Sequence, residues 1–300
     1  MAQNKNWFQS RAEFALAGAL MNALRILPAP AAQLSARAAT RTLDVMRPKL
    51  RRVARTNLSF AYPDLDHAGR ERMIDGVFAS IARMLFSLAR FPHLNVSNIR
   101  DWISYDGLDN YLSAKAVGRG VLIATAHLGN WELSAFAHAL MTEPMNIMVR
   151  PLDNPLIDSF VENRRTLSGN RLIYKKDAAR AVIKALKNNE AVGILIDQNT
   201  SPSEGVFINF FGKPACAGSA FAKLAHHTGA PVIPGFAVWD KAAHRYVLRF
   251  YPQIEMTGDE AVDTRHIHST LEQIIRQYPD QWMWIHRRWK TRPAGEPPLY

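Results

Sequence analysis

The pattern of apolar and polar positions changes character near residue 120. Before it, apolar residues recur at helical spacing. Leu16, Leu20, Leu24 and Leu27 fall at i, i+4, i+8 and i+11, which predicts a helix over 7–27. Residues 33–98 keep a helical character, punctuated by Pro48, Pro63 and Pro92, with a helical period over 64–90. After residue 120, short continuous apolar runs take over. The run 121–126 is followed by helical pattern over 131–141. A second run at 145–149 is followed by helical pattern over 155–167. Residues 172–174 are strand-like, Asp177 suits the N-cap of a helix reaching Leu186, and 192–196 is another buried strand. Helical pattern over 218–228, strands at 231–238 and 246–250, and a helix over 263–277 complete the series.

Strands that are apolar on both faces and alternate with helices predict an α/β fold. The expected architecture is a largely parallel central sheet flanked by helices, with a helical N-terminal region. Its expected divisions are 1–30, an amphipathic membrane-associating helix; 31–100, a helical region packed on the core; and 101–300, the α/β domain.

Composition narrows the function classes. At 48% hydrophobic and 21% charged residues the chain is an ordinary folded protein rather than a disordered one. No run of about 18 apolar residues occurs, which excludes a multi-span transporter. One cysteine, Cys216, excludes an internal disulfide and a thiolate zinc site. His226, His227, His266 and His268 lack acidic or thiol partners at ligand spacing, so no metal is expected and no cofactor.

The net charge of +11 points to an anionic partner. Ten Lys and Arg residues stand between Met1 and Arg55 against only Glu13 and Asp44, and residues 286–292 are basic again. Glu13, Asn22 and Arg25 interrupt the first helix, making it a poor span but a fair interfacial helix, with Trp7 and Phe8 suited to the headgroup level. A signal peptide is the rival reading there; Glu13 and Pro30 argue against it. Trp282, Trp284 and Trp289, interleaved with basic residues, suit three roles: stacking on nucleic acid, a membrane interface, or a segment closing the core.

Polar residues at strand ends carry the chemistry. In Thr125-Ala126-His127-Leu128-Gly129-Asn130-Trp131-Glu132 a strand ends and a helix begins, where α/β ligand crevices form. His127 and Glu132 would point about 140° apart on one helix. They can meet only with His127 on the loop and Glu132 on the first helical turn. Gly129 permits the turn and Asn130 can cap the helix. Glu132 could then orient the imidazole and leave its other nitrogen as a base, as in a triad without its serine. Asp197 and Gln198 follow a buried strand and face the same crevice if the strands are parallel. Arg150 also ends a strand, where a guanidinium suits a phosphate or an oxyanion, and Arg164 and Arg165 lie on the next helix. Backbone N–H groups at Gly129 and Asn130, and Arg150, are the oxyanion candidates. The Gly-bounded stretch 205–212 reads as a core hairpin or the lip of an apolar pocket.

This ordered set resembles the bacterial lipid A biosynthesis acyltransferase family, typified by lauroyl acyltransferase, within the lysophospholipid and glycerolipid acyltransferases with a His-x4-Asp/Glu signature. The matching pieces are residues 125–132, Arg150-Pro151-Leu152-Asp153-Asn154-Pro155, Asp197-Gln198-Asn199, residues 205–212, and the close from Gln281 to Pro293. The resemblance implies a glycerolipid acyltransferase-like fold. It also implies acyl transfer from a thioester, on acyl carrier protein or acyl-CoA, to a hydroxyl of a membrane lipid, most readily a lipid A precursor. By the motif match His127 and Glu132 take the catalytic dyad role, and Arg150, Arg165, Asp197 and Gln198 belong to the substrate site. The implied place is the cytoplasmic face of the bacterial inner membrane, on an anionic surface, peripheral or N-terminally anchored. Phosphatidylinositol mannoside or a lysophospholipid is the alternative acceptor. In another class, the rival is a non-catalytic basic protein that binds nucleic acid; polar residues at successive strand ends count against it.

Overall fold

Proline sets boundaries among the first four helices, α1 (Trp7–Ile26), α2 (Ala29–Met46), α3 (Pro48–Ala61) and α4 (His67–Arg90). Pro30 and Pro48 lie in the first turns of α2 and α3, where a fixed φ and a missing N–H cost nothing. Asp66 caps α4 by accepting from the Gly69 N–H at 2.7 Å. Arg51 ties three helices together through Asp44 (2.7 Å), Glu71 (2.8 Å) and Asp75 (2.5 Å). Part of the basic N-terminal segment is therefore engaged within the protein. The structure, a computed structural model, describes residues 7–174 and 178–300, so the expected cap Asp177 lies outside the described residues.

The sheet strands are β1 (Ile103–Asp106), β2 (Val121–Thr125), β3 (Asn146–Val149), β4 (Arg171–Tyr174), β5 (Ala191–Leu195), β8 (Val232–Asp240) and β9 (Arg245–Phe250). Their order is β1-β9-β8-β2-β5-β3-β4, and every pairing is parallel except β8 with β9. The helices between and after them are α5 (Leu108–Ala116), α6 (Trp131–Met141), α7 (Pro155–Thr166), α8 (Ala178–Lys187), α9 (Ala220–Thr228) and α10 (Glu260–Gln277). The expected α/β architecture with a helical N-terminal region is what forms.

The continuous apolar run of β2 is explained by burial on both faces. Val121 and Ile123 pack with Tyr111 of α5, Leu133 and Phe136 of α6, and Leu24 of α1. Leu122 and Ala124 pack on the other side with Val182 and Leu186 of α8, Phe221 of α9 and Ile267 of α10. Alternation by twos thus feeds two cores.

Three elements, β1, α5 and a strand over 213–218, form where none was expected. β1 and α5 fall in a stretch that carried no assignment. Residues 213–218, ahead of the expected helix that forms as α9, make a strand: β7 (Lys213–Gly218) pairs antiparallel with β6 (Gly205–Phe210) through a turn at Phe211 and Gly212, both with positive φ. The stretch 205–212 is therefore a hairpin, and Phe210 and Phe211 are buried in a core with Trp282, Trp284 and Trp289. Those three tryptophans, 2%, 0% and 0% exposed, close the core and cannot stack on nucleic acid.

α1 lies on the body of the protein at both ends. Arg90 of α4 donates to the Leu24 carbonyl at 2.9 Å and also to that of Leu27, which caps the C-terminal carbonyls. Asn154, the N-cap of α7, donates to the Ser10 carbonyl (2.9 Å) and to Glu13 (3.0 Å). Among the described residues, no helix is long and apolar enough to cross a membrane.

Candidate active site

β2 and β5 are neighbours in register, with Thr125 opposite Leu195. The ladder continues one step further, since the Ile196 N–H donates to the Thr125 carbonyl at 3.0 Å. Two residues beyond each strand end stand His127 and Asp197, side by side at the carboxyl edge of the sheet. The His127 ring Nδ1 lies 2.8 Å from Asp197 Oδ1, and the His127 backbone N–H donates to Oδ2 at 2.9 Å. The Trp282 indole N–H donates to the same Oδ2 at 2.8 Å.

A carboxylate only accepts, so the ring proton resides on Nδ1 and the lone pair of the neutral imidazole on Nε2. Gln198 Nε2 is 3.4 Å from that nitrogen, and the Trp131 ring meets the imidazole edge-on at 4.9 Å between centroids. Burial opposes the imidazolium, but the charge and hydrogen bond of Asp197, with a contribution from Glu132, raise the His127 pKa above its ordinary 6.5. Burial likewise opposes ionisation of Asp197. The His127 charge and hydrogen bond, then the Trp282 and backbone N–H groups, nonetheless hold it well below the usual carboxylate range.

Glu132 does not orient the imidazole by a hydrogen bond, as the sequence spacing suggested. It does lie in the first turn of α6, with Asn130 as the cap accepting from the Leu133 N–H at 3.0 Å. Its carboxylate instead receives Arg165 of α7 through Nη2 at 2.6 Å and Nε at 2.8 Å, and the Trp131 indole N–H at 3.2 Å. The imidazole Nδ1 is already taken by Asp197. Arg165 is thus the partner of Glu132, in a pair whose side chains are 15% and 8% exposed.

The oxyanion candidates are also placed differently from expectation. The Gly129 N–H donates to the Gln281 carbonyl at 3.0 Å and the Asn130 N–H to the Ala237 carbonyl at 2.8 Å, so both amides are engaged within the protein. The reason is local. Leu128 bridges antiparallel to Trp282, and the loop is stitched to residues 281–283 on one side and to β8 on the other. Gly129 has φ +65, and a Cβ there would collide with the Ala237 carbonyl, so the loop needs glycine. Arg150 stands exposed just beyond β3. Cys216, buried in β7 with its thiol pKa raised by burial, donates to the Ser201 carbonyl at 3.4 Å and lies outside this cluster.

The sequence pointed neither to Ser87 nor to the contact of Trp282 with Asp197. Ser87 of α4 accepts from Asn130 Nδ2 at 2.6 Å and steadies the α6 cap. A small recess of about 10 Å³ opens beside the histidine, lined by Val77, Ser80 and Ile81 of α4 with His127, Gly129, Trp131, Gln281 and Met283.

The family model described as bacterial lipid A biosynthesis acyltransferase matches residues 5–291. The chain belongs to that family. The acyltransferase is 30% identical over 266 residues to the Escherichia coli protein named lipid A biosynthesis palmitoleoyltransferase, covering 87% of this chain and 86% of the relative. It is 29% identical over 252 residues to the lipid A biosynthesis lauroyltransferase of the same organism, covering 83% and 82%. A Haemophilus influenzae lipid A biosynthesis acyltransferase is 26% identical over 250 residues, covering 83% and 78%. The acyltransferase retains the His-x4-Glu spacing as His127 and Glu132 in a setting that gives each side chain a different partner.

Proposed function

We propose that this acyltransferase moves a fatty acyl chain from a thioester, on acyl carrier protein or CoA, to a hydroxyl of a lipid A precursor. The names of the relatives support the acceptor class. The observation that carries the mechanism is the His127–Asp197 pair, which leaves Nε2 as the basic nitrogen.

His127 is the general base. A lipid hydroxyl becomes a good nucleophile only as its proton leaves, and a positioned base contributes about 10² to 10⁴ in rate. Asp197 fixes the ring and stabilises the imidazolium. Glu132 adds negative charge nearby and holds Arg165 in place. Arg150, Arg165 and Gln198 are assigned to the substrate site, where guanidinium groups suit phosphate. The thiol is a good leaving group, so direct transfer needs no acyl-enzyme. The enzyme works at the cytoplasmic face of the inner membrane, with residues 1–30 as the membrane-associating segment and the net charge of +11 favouring an anionic surface.

The test compares membrane lipids by mass spectrometry from cells with and without the protein, and from cells carrying His127→Ala. Loss of one acyl chain from a lipid A species in both deficient strains is expected. Unchanged lipid A would overturn the acceptor, and wild-type turnover by purified, folded His127→Ala would overturn the base.

A further inference from the structure

α4 runs past the His127 loop and presents two buried serines seven residues apart, about two helical turns and so one face. Ser87 is fully used: it accepts from Asn130 Nδ2 at 2.6 Å and donates to the Met84 carbonyl at 2.9 Å. Ser80 is only 3% exposed, yet its hydroxyl has no hydrogen-bond partner among the described residues. Several helical hydroxyls elsewhere in the chain return to a carbonyl three or four residues back, as Thr40, Ser59, Ser35, Thr42, Thr264 and Thr270 do. Ser80 does not. A buried polar group left unsatisfied is costly, and of the unpartnered buried groups among the described residues Ser80 is the one that lines the recess beside His127.

The surroundings say what partner it takes. Ser80 lines the recess beside the histidine together with His127, Gly129 and Trp131. At about 10 Å³ the recess has room for roughly one oxygen-sized group, far too little for an acyl chain. The neighbouring Gly129 and Asn130 amides are turned to Gln281 and Ala237 and do not serve it. A small space next to the base, with one unspent donor, matches the oxygen of the carbonyl under attack.

We propose that the Ser80 hydroxyl is the hydrogen-bond donor for the carbonyl oxygen of the acyl thioester during transfer. The proposal rests on the acyl-transfer reading above. In the step, the acceptor oxygen bonds to the thioester carbon while its proton passes to His127 Nε2. The C=O π pair moves onto the oxygen, which becomes negative and receives the Ser80 O–H. Collapse restores C=O, breaks the C–S bond, and the departing thiolate takes the proton from His127. Ester and thiol leave, and both side chains return to their starting states. Ser80 bonds more strongly to the oxyanion than to the ground-state carbonyl, so its effect falls on kcat.

The experiment uses the purified full chain with a lipid A precursor in detergent and whichever thioester, carrier protein or CoA, the wild type turns over. Ser80→Ala is expected to lower kcat on the order of 10²-fold, as loss of one oxyanion donor does, with KM within about twofold of wild type. Its Tm should be unchanged or higher, because no hydrogen bond within the protein is lost. Wild-type kcat in Ser80→Ala, with His127→Ala inactive, overturns the proposal and leaves the acyl-transfer reading standing. A rise in KM alone overturns it too, because the hydroxyl would then bind substrate uniformly. A lowered Tm with intact kcat also overturns it, since the hydroxyl would then hold a structural water. Full turnover in folded His127→Ala overturns His127 as the base and, with it, the Ser80 step built around that base, while acyl transfer itself stands; no turnover by the wild type with either thioester brings down the acyl-transfer reading.

Discussion

Asp197 grips His127 at two points, the ring Nδ1 at 2.8 Å and the backbone N–H at 2.9 Å, with one carboxylate oxygen for each. The double contact fixes the position of the loop as well as the angle and tautomer of the imidazole. The partner strands are parallel and in register, so both residues leave the sheet at the same height.

Asp197→Asn is therefore expected to lower kcat on the order of 10² to 10⁴. The amide cannot satisfy the site while the ring proton stays on Nδ1. Three donors converge on the carboxylate, from the His127 ring, the His127 backbone and Trp282. One flip sets the NH₂ against two donors; the other sets it against Nδ1, which can accept only if the ring proton moves to Nε2 and so abolishes the base. The pH profile supplies an independent check. Catalysis needs neutral His127, and its pKa is raised, chiefly against burial, by the Asp197 charge. The acid limb of kcat/KM therefore has its midpoint above 6.5 in the wild type. Removing the charge lowers that pKa, and the limb moves to lower pH. A limb that stays in place would separate the pH dependence from His127.

Glu132 and Arg165 form a nearly buried pair with two short contacts, 2.6 and 2.8 Å. Removing one partner strands the other charge, at a cost of about 3 to 5 kcal/mol. Glu132→Gln and Arg165→Gln should each lower stability by an amount of this order, and the double variant should be no worse than either single. Denaturant unfolding of the three variants measures the coupling, which these costs put at about 3 to 5 kcal/mol. Additive losses would mean that the pair is not energetically linked.

The legibility of this site follows strand ends. His127, Asp197, Gln198 and Arg150 could be found because each follows an apolar run that had to be a buried strand. Their pairing could not, because it depends on β5 lying beside β2, 70 residues away. The four-residue spacing made Glu132 the natural partner of His127, but α7 packs close by and Arg165 takes that carboxylate. Trp282 had three compatible roles, and only its place against Asp197 selects one. Lys213-Pro214-Ala215-Cys216-Ala217-Gly218 has little strand propensity and forms β7 only because β6 supplies its ladder. Tertiary context decided each of these.

Asn57 of α3 ties the N-terminal helices to the segment that carries Trp282. It is fully buried, donates to the carbonyls of Trp284 (2.7 Å) and His286 (2.9 Å), and accepts from the Tyr300 hydroxyl at 2.5 Å. Asn57→Leu should cost about 2 to 4 kcal/mol, because it leaves two carbonyls without that donor. Its kcat, measured well below the lowered Tm, should also fall, since residues 281–283 are stitched to the His127 loop. Tm and kcat together check this: a stable variant would mean that water replaces the amide.

Among the described residues, α1 turns one face to the body of the protein and exposes apolar side chains on the other. Ser10, Met21 and Leu24 are buried, whereas Phe8, Leu16 and Ile26 are 72%, 74% and 67% exposed. At about 100° per residue, Phe8 and Ile26 share one azimuth and Leu16 lies about 80° away. Ser10, Met21 and Leu24 fall about 160° to 220° from Phe8, on the opposite side. The leucine stripe read from the sequence is thus divided, with Leu24 facing the core and Leu16 facing out. α2 also exposes apolar side chains, Leu34, Val45 and Met46 at 70%, 68% and 72%. A surface of this kind beside basic residues suits a bilayer interface. Burying one such side chain in lipid contributes about 1.5 to 3 kcal/mol, so Leu16→Ser should weaken vesicle binding by roughly tenfold or more. The basic residues add a component that salt screens, because the Debye length falls to about 3 Å at 1 M. Binding to vesicles containing anionic lipid should therefore drop when salt is raised from 0.1 to 1 M, yet keep a portion that Leu16→Ser and Phe8→Ser remove. Complete loss of binding in salt alone would make the contact purely electrostatic. Wild-type binding by both variants would take α1 out of the membrane contact.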